Sequence, residues 1–412
     1  MAKPLSPRRG RRYQLREDTL TRLVSLASGL LFRQTFRSIS EKSSIIQYIE
    51  GNMLYVIIGT KAQLIKMAPL MMYFHEQQIP YRYISTGQHQ ETMEDIHVNF
   101  GLRKPDIQLY AGKDITGIVQ MAFWGGRLLL KSLFQRKHIF PKRQKSIVLV
   151  HGDTFSTLIG ALMGALAGLK VGHVESGLRS YNYFHPFPEE IIRILTFKLS
   201  DYFFCPGEWA INNLKKERGV KINTQVNTLY ESLQKALPVI EKISDVDIPA
   251  NRYAVVTLHR YENVYKFDTF IRVIELVEQI ANHTPVLFIL HKLTVKKLHK
   301  FQIYTRLQDN PNIELRPRYD YFRFIKLLSC AYFVVSDGGS NQEECSYLGK
   351  PLILLRRSTE RKEGLGQNCL LSNYDPDLIN NFLTNMNNYK QASHGQKAFP
   401  CSIIADACKI FY

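Results

Sequence analysis

Short, densely apolar runs recur along this chain, with longer amphipathic stretches between them. From Met53 onward the runs Leu54 to Ile58, Tyr83 to Ser85, Ile147 to Val150, Val171 to Val174 and Tyr202 to Phe204 read as strands. Helical spacing fills the gaps, which is the βαβ rhythm of a parallel, doubly wound sheet. The rhythm lapses over Val226 to Ala250, where Pro238, Asp245, Asp247 and Pro249 predict a linker after a short helix. It resumes with Ala254 to Leu258, Val286 to Leu290, Ile313 to Leu315, Phe333 to Ser336 and Leu352 to Leu355. The expected fold class is therefore α/β, with two Rossmann-like domains facing each other across a cleft. The expected boundaries are a basic extension over 1–52, a first domain over 53–228, a linker over 229–250 and a second, nucleotide-binding domain over 251–400. A last helix over 401–412 is expected to pack back on the first domain.

Composition and charge change this picture in one respect. A chain of 412 residues is too long for one core, and its 45% hydrophobic and 22% charged content is that of an ordinary globular protein. Its net charge of +18 favours phosphorylated ligands, anionic membrane surfaces or nucleic acid, without choosing among them. The excess is uneven. Residues 1–37 hold nine Lys and Arg against Glu17 and Asp18, and Leu20, Leu23, Val24, Ala27, Leu30 and Leu31 recur at helical spacing. That pattern predicts a basic amphipathic helix, suited to peripheral contact with an anionic bilayer or equally to packing on its own protein. It is too short and too interrupted to span one, and no signal-peptide cleavage pattern follows it. A second basic cluster (Lys131, Arg136, Lys137, Lys142, Arg143, Lys145) follows the helical run Ile118 to Phe134 and extends the same surface or is simply solvated. Six widely separated cysteines indicate neither a zinc site nor a disulfide framework. The expected location is cytoplasmic, peripheral to the inner face of the membrane.

Candidate chemistry sits just after the apolar runs, where an open α/β sheet places its ligands. Val148-Leu-Val-His-Gly-Asp153, His173-Val-Glu-Ser-Gly-Leu-Arg179 and Pro188-Glu-Glu190 combine acids, histidines and an arginine, a set suited to carboxylate acid–base work on an anionic small molecule. Gly59-Thr-Lys61 with Lys66, and Gly338-Gly-Ser340 with Gln342-Glu-Glu344, each open a helix at which free N–H groups can hold phosphate oxygens. Ser340 can donate to a diphosphate there, and Glu344 can accept from a ribose diol. Two such loops facing each other fit a nucleotide diphosphate bridging the cleft. Plainer roles compete: Asp153 as a helix cap, Glu190 as a helix-start carboxylate, His151 and His173 as hydrogen-bonding residues, and Glu262 as support for the His259 loop.

Eight ordered motifs carry a family likeness: Gly59-Thr-Lys-x4-Lys-Met-Ala-Pro, Thr86-Gly-Gln-His89, His151-Gly-Asp-Thr, Gly172-His-Val-Glu-x-Gly-Leu-Arg179, Pro188-Glu-Glu-x2-Arg193, His259-Arg-x-Glu-Asn263, Gln342-Glu-Glu-x3-Leu-Gly-Lys-Pro351 and Thr359-Glu-Arg361. Over roughly Met53 to Leu371 the chain resembles the UDP-N-acetylglucosamine 2-epimerase family of the non-hydrolysing type. The resemblance implies a GT-B type fold, a homodimer, and interconversion of UDP-GlcNAc and UDP-ManNAc for surface polysaccharide supply. It also implies a UDP-sugar as ligand, no metal, no cofactor and no nucleic-acid partner. C2 of a hexosamine has no adjacent carbonyl to acidify its hydrogen, so the family eliminates UDP in the anti sense and adds it back with the proton on the other face. By motif, Asp153, Glu175, Glu189 and His259 are the implied catalytic residues. Lys61, Lys66, Gln88, Arg179, Arg193, Gly338, Gly339, Ser340, Glu344 and Arg361 are the implied substrate and UDP contacts, with Phe324 stacking on uracil. Which carboxylate reaches C2 stays open.

Departures from the family pattern bear on the sugar rather than on the reaction. Lys61 and Gln63 stand where the pattern has Arg and Glu, and the hydroxyl of the second phosphate loop is displaced to Ser340. Tyr261 replaces an arginine, His291-Lys-Leu lacks a following asparagine, and Ser180-Tyr-Asn-Tyr-Phe-His185 precedes Glu189. A modified UDP-HexNAc therefore stays within the expected substrate class. Two other readings compete, a GT-B glycosyltransferase at a membrane and a non-catalytic nucleotide-sugar-binding protein. The full set Asp153, Glu175, Glu189 and His259 favours the epimerase over both.

Overall fold

The computed structural model describes residues 52–89, 93–115, 117–141, 145–183, 186–393 and 398–412. The basic helix expected over residues 1–37 lies outside them, as do Lys142, Arg143 and His185. Residues 52–412 form one compact unit built on two wholly parallel sheets. The first has seven strands, β1 (Leu54–Ile58), β2 (Tyr81–Ser85), β3 (Ile107–Gln108), β4 (Ile147–His151), β5 (Lys170–Val174), β6 (Tyr202–Cys205) and β7 (Val220–Asn223), in the order β3-β2-β1-β4-β5-β6-β7. The second has six, β8 (Ala254–Leu258), β9 (Val286–Leu290), β10 (Ile313–Pro317), β11 (Phe333–Ser336), β12 (Leu352–Leu354) and β13 (Cys369–Leu371), in the order β10-β9-β8-β11-β12-β13.

Both orders turn back on themselves beside the first strand, between β1 and β4 and between β8 and β11, and this is where the fold is expected to bind. The central strands are apolar because helices cover both their faces: every residue of β1, β4, β8 and β9 is buried. The chain is thus an α/β protein of GT-B-like architecture.

The segment 226–250 holds the expected short helix, but that helix occupies part of the span 229–250 expected as linker. Leu229–Ile240 is a 12-residue helix that runs through Pro238. Its Leu229, Leu233, Ala236 and Ile240 share one apolar cluster with Leu64, Met67 and Phe74 of the first lobe and Tyr321, Phe322 and Tyr347 of the second. Ser232 Oγ donates to the Ile65 carbonyl at 2.7 Å, and Tyr230 meets Tyr347 edge to face at 5.3 Å. Burial outweighs the one hydrogen bond that a proline removes. The C-terminal helix Pro400–Ala407 adds Cys401, Ile404 and Ala405 to that cluster, and Phe411 meets Tyr202 at 5.4 Å. Among the described residues, no helix is long and apolar enough to cross a membrane.

Candidate active site

Each lobe delivers a helix N-terminus to the cleft. In the first, Thr60 caps the helix Lys61–Glu76, and Gln63 closes a capping box by accepting from the N–H groups of Gly59 at 2.9 Å and Thr60 at 3.1 Å. The Gln63 amide donates onward to the His151 carbonyl at 2.8 Å, so the turn after β1 and the turn after β4 are tied together. Glycine is required at 59: a Cβ there would stand 1.9 Å from Ser156 Oγ and 2.1 Å from Thr86 Oγ1.

In the second lobe the helix Gly339–Leu348 starts beneath two side chains. A Cβ on Gly338 would lie 2.9 Å from His259 Cε1, and one on Gly339 would lie 2.6 Å from Arg361 Nε. The buried Asp337 fixes this corner. Its carboxylate accepts from the N–H groups of His259 (3.1 Å) and Arg260 (3.0 Å) and from Asn263 Nδ2 (3.0 Å), joining the end of β8 to the end of β11. Open amides, His259 and Arg361 thus meet at one helix start, an anion-binding arrangement.

The acids lie opposite. Glu175 follows β5 at φ +62°, a backbone conformation that costs a side-chain-bearing residue about 1–2 kcal/mol. Its carboxylate accepts from Lys66 Nζ, from Asn227 Nδ2 and, at 2.9 Å, from Arg361 Nη2. Burial pushes the Glu175 carboxyl up, but Arg361 and Lys66 outweigh it and hold the group well below the usual carboxylate range. Asp153 accepts from Arg193 at 2.9 Å and 2.5 Å. It is not the helix cap: Thr154 caps Phe155–Leu166 in a capping box with Thr157. Glu189 opens the helix Glu189–Leu199, and its Oε2 is buried with no hydrogen-bond partner among the described residues. Burial first, and the Asp153 charge second, raise the Glu189 carboxyl.

Its neighbour Glu190 is fully buried and accepts from Arg179 Nε (2.5 Å), Ser180 N (3.0 Å) and Arg193 Nη1 (3.2 Å), so it anchors the loop that delivers Glu189. Burial drives the flanking histidines down, His151 to about 3 and His173 to about 4, which keeps both neutral. His173 is satisfied by the Gly152 carbonyl at 2.7 Å and by Ser176 Oγ at 3.1 Å.

The remaining expected residues divide. Arg193 and Arg361 bind carboxylates in both lobes, since Arg193 Nη2 also reaches Glu360 at 3.1 Å. Lys61 pairs with Asp95 at 2.6 Å, and Gln88 accepts from Ser156 Oγ at 2.7 Å, so its side chain braces the helix start after β4. Arg179 lies over the Tyr181 ring at 4.7 Å. Phe324 is half-buried against the interlobe cluster, Ser340 is half-buried in the first turn of its helix, and Glu344 accepts from Asn341 at 2.9 Å.

Four members of the site carried no assignment in the sequence reading. Glu343 takes Lys66 at 3.0 Å, Asn227 bridges Glu175 and Glu343, Glu360 joins Arg193 to Arg356 at 3.2 Å, and Asp337 organises the His259 corner. Glu343 and Glu360 stood inside quoted motifs, where their neighbours drew the assignments. Asn227 lay at the end of the expected first domain, where the strand-helix rhythm lapses, and stood in no quoted motif.

A GT-B-like pair of lobes with acids on one wall and an anion-binding helix start on the other defines a class of nucleotide-sugar proteins, and known proteins narrow it. The family model of UDP-N-acetylglucosamine 2-epimerase matches residues 73–400, and the chain belongs to that family. It is an epimerase. A UDP-N-acetylglucosamine 2-epimerase of Methanococcus maripaludis is 33% identical over 345 residues, covering 80% of this chain and 90% of that one. The enzyme of the same name from Bacillus subtilis is 28% identical, covering 83% and 90%. Among solved structures, the Neisseria meningitidis UDP-GlcNAc 2-epimerase bound to UDP-GlcNAc has a TM-score of 0.73 at 25% identity, covering 86% of this chain and 99% of that one. The Methanocaldococcus jannaschii enzyme, in complex with UDP-GlcNAc and UDP, has a TM-score of 0.72 at 27% identity, covering 87% and 99%.

Proposed function

We propose that the chain is a non-hydrolysing 2-epimerase that interconverts UDP-GlcNAc and UDP-ManNAc, or a modified UDP-HexNAc of the same class, and supplies a surface polysaccharide precursor. One observation carries this reading: the three acids divide by environment, as a two-sided proton transfer at C2 requires. Glu189, pushed toward its protonated form, suits proton delivery, and Asp153 beside it, oriented by Arg193, completes the acid–base pair. Glu175 stays ionised and serves to hold Lys66 and Arg361 near the leaving diphosphate. The helix start at Gly339, with His259 and Arg361 over it, suits the UDP that departs and returns, and Glu344 and Phe324 suit its ribose and uracil. We place the protein in the cytoplasm, with residues 1–37 in peripheral contact with anionic lipid.

The test is incubation with UDP-GlcNAc in heavy water without an acceptor. Deuterium at C2 of both UDP-sugars, with UDP-ManNAc appearing, is the expected result. Free ManNAc with UDP would mark a hydrolysing enzyme, and no deuterium at C2 here, with sugar transferred once an acceptor is added in a second incubation, would mark a glycosyltransferase. Either outcome overturns the reading.

A further inference from the structure

The fully buried Glu343, on the helix Gly339–Leu348, closes a ring of charge across the cleft. Its Oε2 accepts from Lys66 Nζ at 3.0 Å, its Oε1 accepts from Asn227 Nδ2 at 2.8 Å, and Arg361 Nη1 lies 2.7 Å from that same Oε1. Glu175 grips the same three groups from the first lobe. Two cations and two carboxylates therefore alternate, each cation shared between lobes. The two carboxylates are not equivalent. Glu175 is held ionised, whereas burial pushes Glu343 up against the pull of Arg361 and Lys66. The other titratable groups around Glu343 are Glu175, Glu344, Glu363, Tyr321 and Tyr347, which offer it no compensating positive charge.

We propose that Glu343 is a positioning residue that holds Lys66 and Arg361 across the cleft, yields them to the substrate diphosphate, and takes up a proton from solvent as they leave. The inference rests on the diphosphate site described above. A carboxylate stripped of both cations in this interior is strongly disfavoured, and protonation is its way out. Because the released cations then serve the leaving group, Glu343 acts on turnover through them.

Calorimetric titration of the full chain with UDP near neutral pH, in two buffers of different ionisation enthalpy, measures the linked proton. Wild type is expected to take up a proton and Glu343→Gln to take up less. The Gln variant should also bind UDP more tightly, having lost a competing charge, and show kcat lower by about tenfold with KM lowered as well. Glu343→Asp should restore the proton uptake. Equal uptake in wild type and Glu343→Gln, or a lower kcat with KM and uptake unchanged, would overturn the proposal and leave Glu343 a structural residue. Should the Gln variant not fold, Glu343→Asp decides: its shorter arm must change UDP affinity or kcat, and wild-type values for both would refute the role. Binding with proton uptake but without C2 exchange would instead sink the epimerase reading and leave this one standing.

Discussion

Glu175 and Glu189 are carboxylates in one cleft with opposite surroundings, and the difference can be read in two measurements. Among the described residues Glu189 has no ion-pair partner, so Glu189→Gln is expected to cut C2 exchange by about 10²–10⁴-fold, as loss of a general acid does, while the melting temperature holds. Glu175→Gln removes a buried partner of Lys66 and Arg361. It should abolish exchange and also cost roughly 3–5 kcal/mol of stability, visible in denaturant unfolding. Equal stabilities for the two variants would refute this division. Glu344 adds a pH dependence: burial raises it to about 7. Its native form therefore keeps a proton that the unfolded chain loses at lower pH. The stabilisation it gives is full below the ordinary carboxylate range and is lost as pH climbs to about 7. Between pH 5 and 8 wild type should lose stability relative to Glu344→Gln, and parallel melting curves would exclude this. Asp153 and Glu175 were singled out from the sequence because each follows an apolar strand run, whereas Glu189, just after Pro188, was singled out by its motif. Glu343 was not, because adjacent helix positions face about 100° apart and a sequence does not say which of two buried glutamates meets Lys66 and Arg361.

Glycines 338 and 339 show how an element's start becomes a site. Neither is needed for a positive φ; they are small so that His259 and Arg361 can lie across the first turn. Gly339→Ala should push Arg361 off that turn, weakening UDP binding by about tenfold, with little change in the melting temperature because the helix body gains a better helix former. Unchanged UDP affinity in a titration would show that Arg361 does not serve the diphosphate from there. The central strands were legible for the reason that makes them central: helices bury both faces, so β1, β4, β8 and β9 are continuous apolar runs. The edge strands β3, β7 and β13 have two to four residues and carry no such run. A short helix was expected before the linker, but its run through Pro238 was not, because that local signal is overridden by burial between lobes.

At the scale of the whole molecule the lobes are joined twice, by the apolar cluster around Leu229–Ile240 and by the ion pairs Arg193–Glu360, Lys66–Glu343 and Arg361–Glu175. Every residue of the proposed chemistry lies within 52–412, whereas nine of the basic residues lie in 1–37 against two acids. Catalysis and bilayer contact are thus assigned to different stretches of chain and should separate on truncation. A chain lacking residues 1–51 is expected to keep its UDP affinity and C2 exchange. Each Lys or Arg near an anionic surface contributes about 1 kcal/mol, so loss of even three contacts should lower partitioning onto phosphatidylserine vesicles by about two orders of magnitude. The full chain should bind those vesicles in a salt-dependent manner and bind neutral vesicles weakly. Equal partitioning of the full and truncated chains would remove residues 1–37 from the membrane. A truncation that lost UDP affinity would place part of the site in the extension and undo the separation itself.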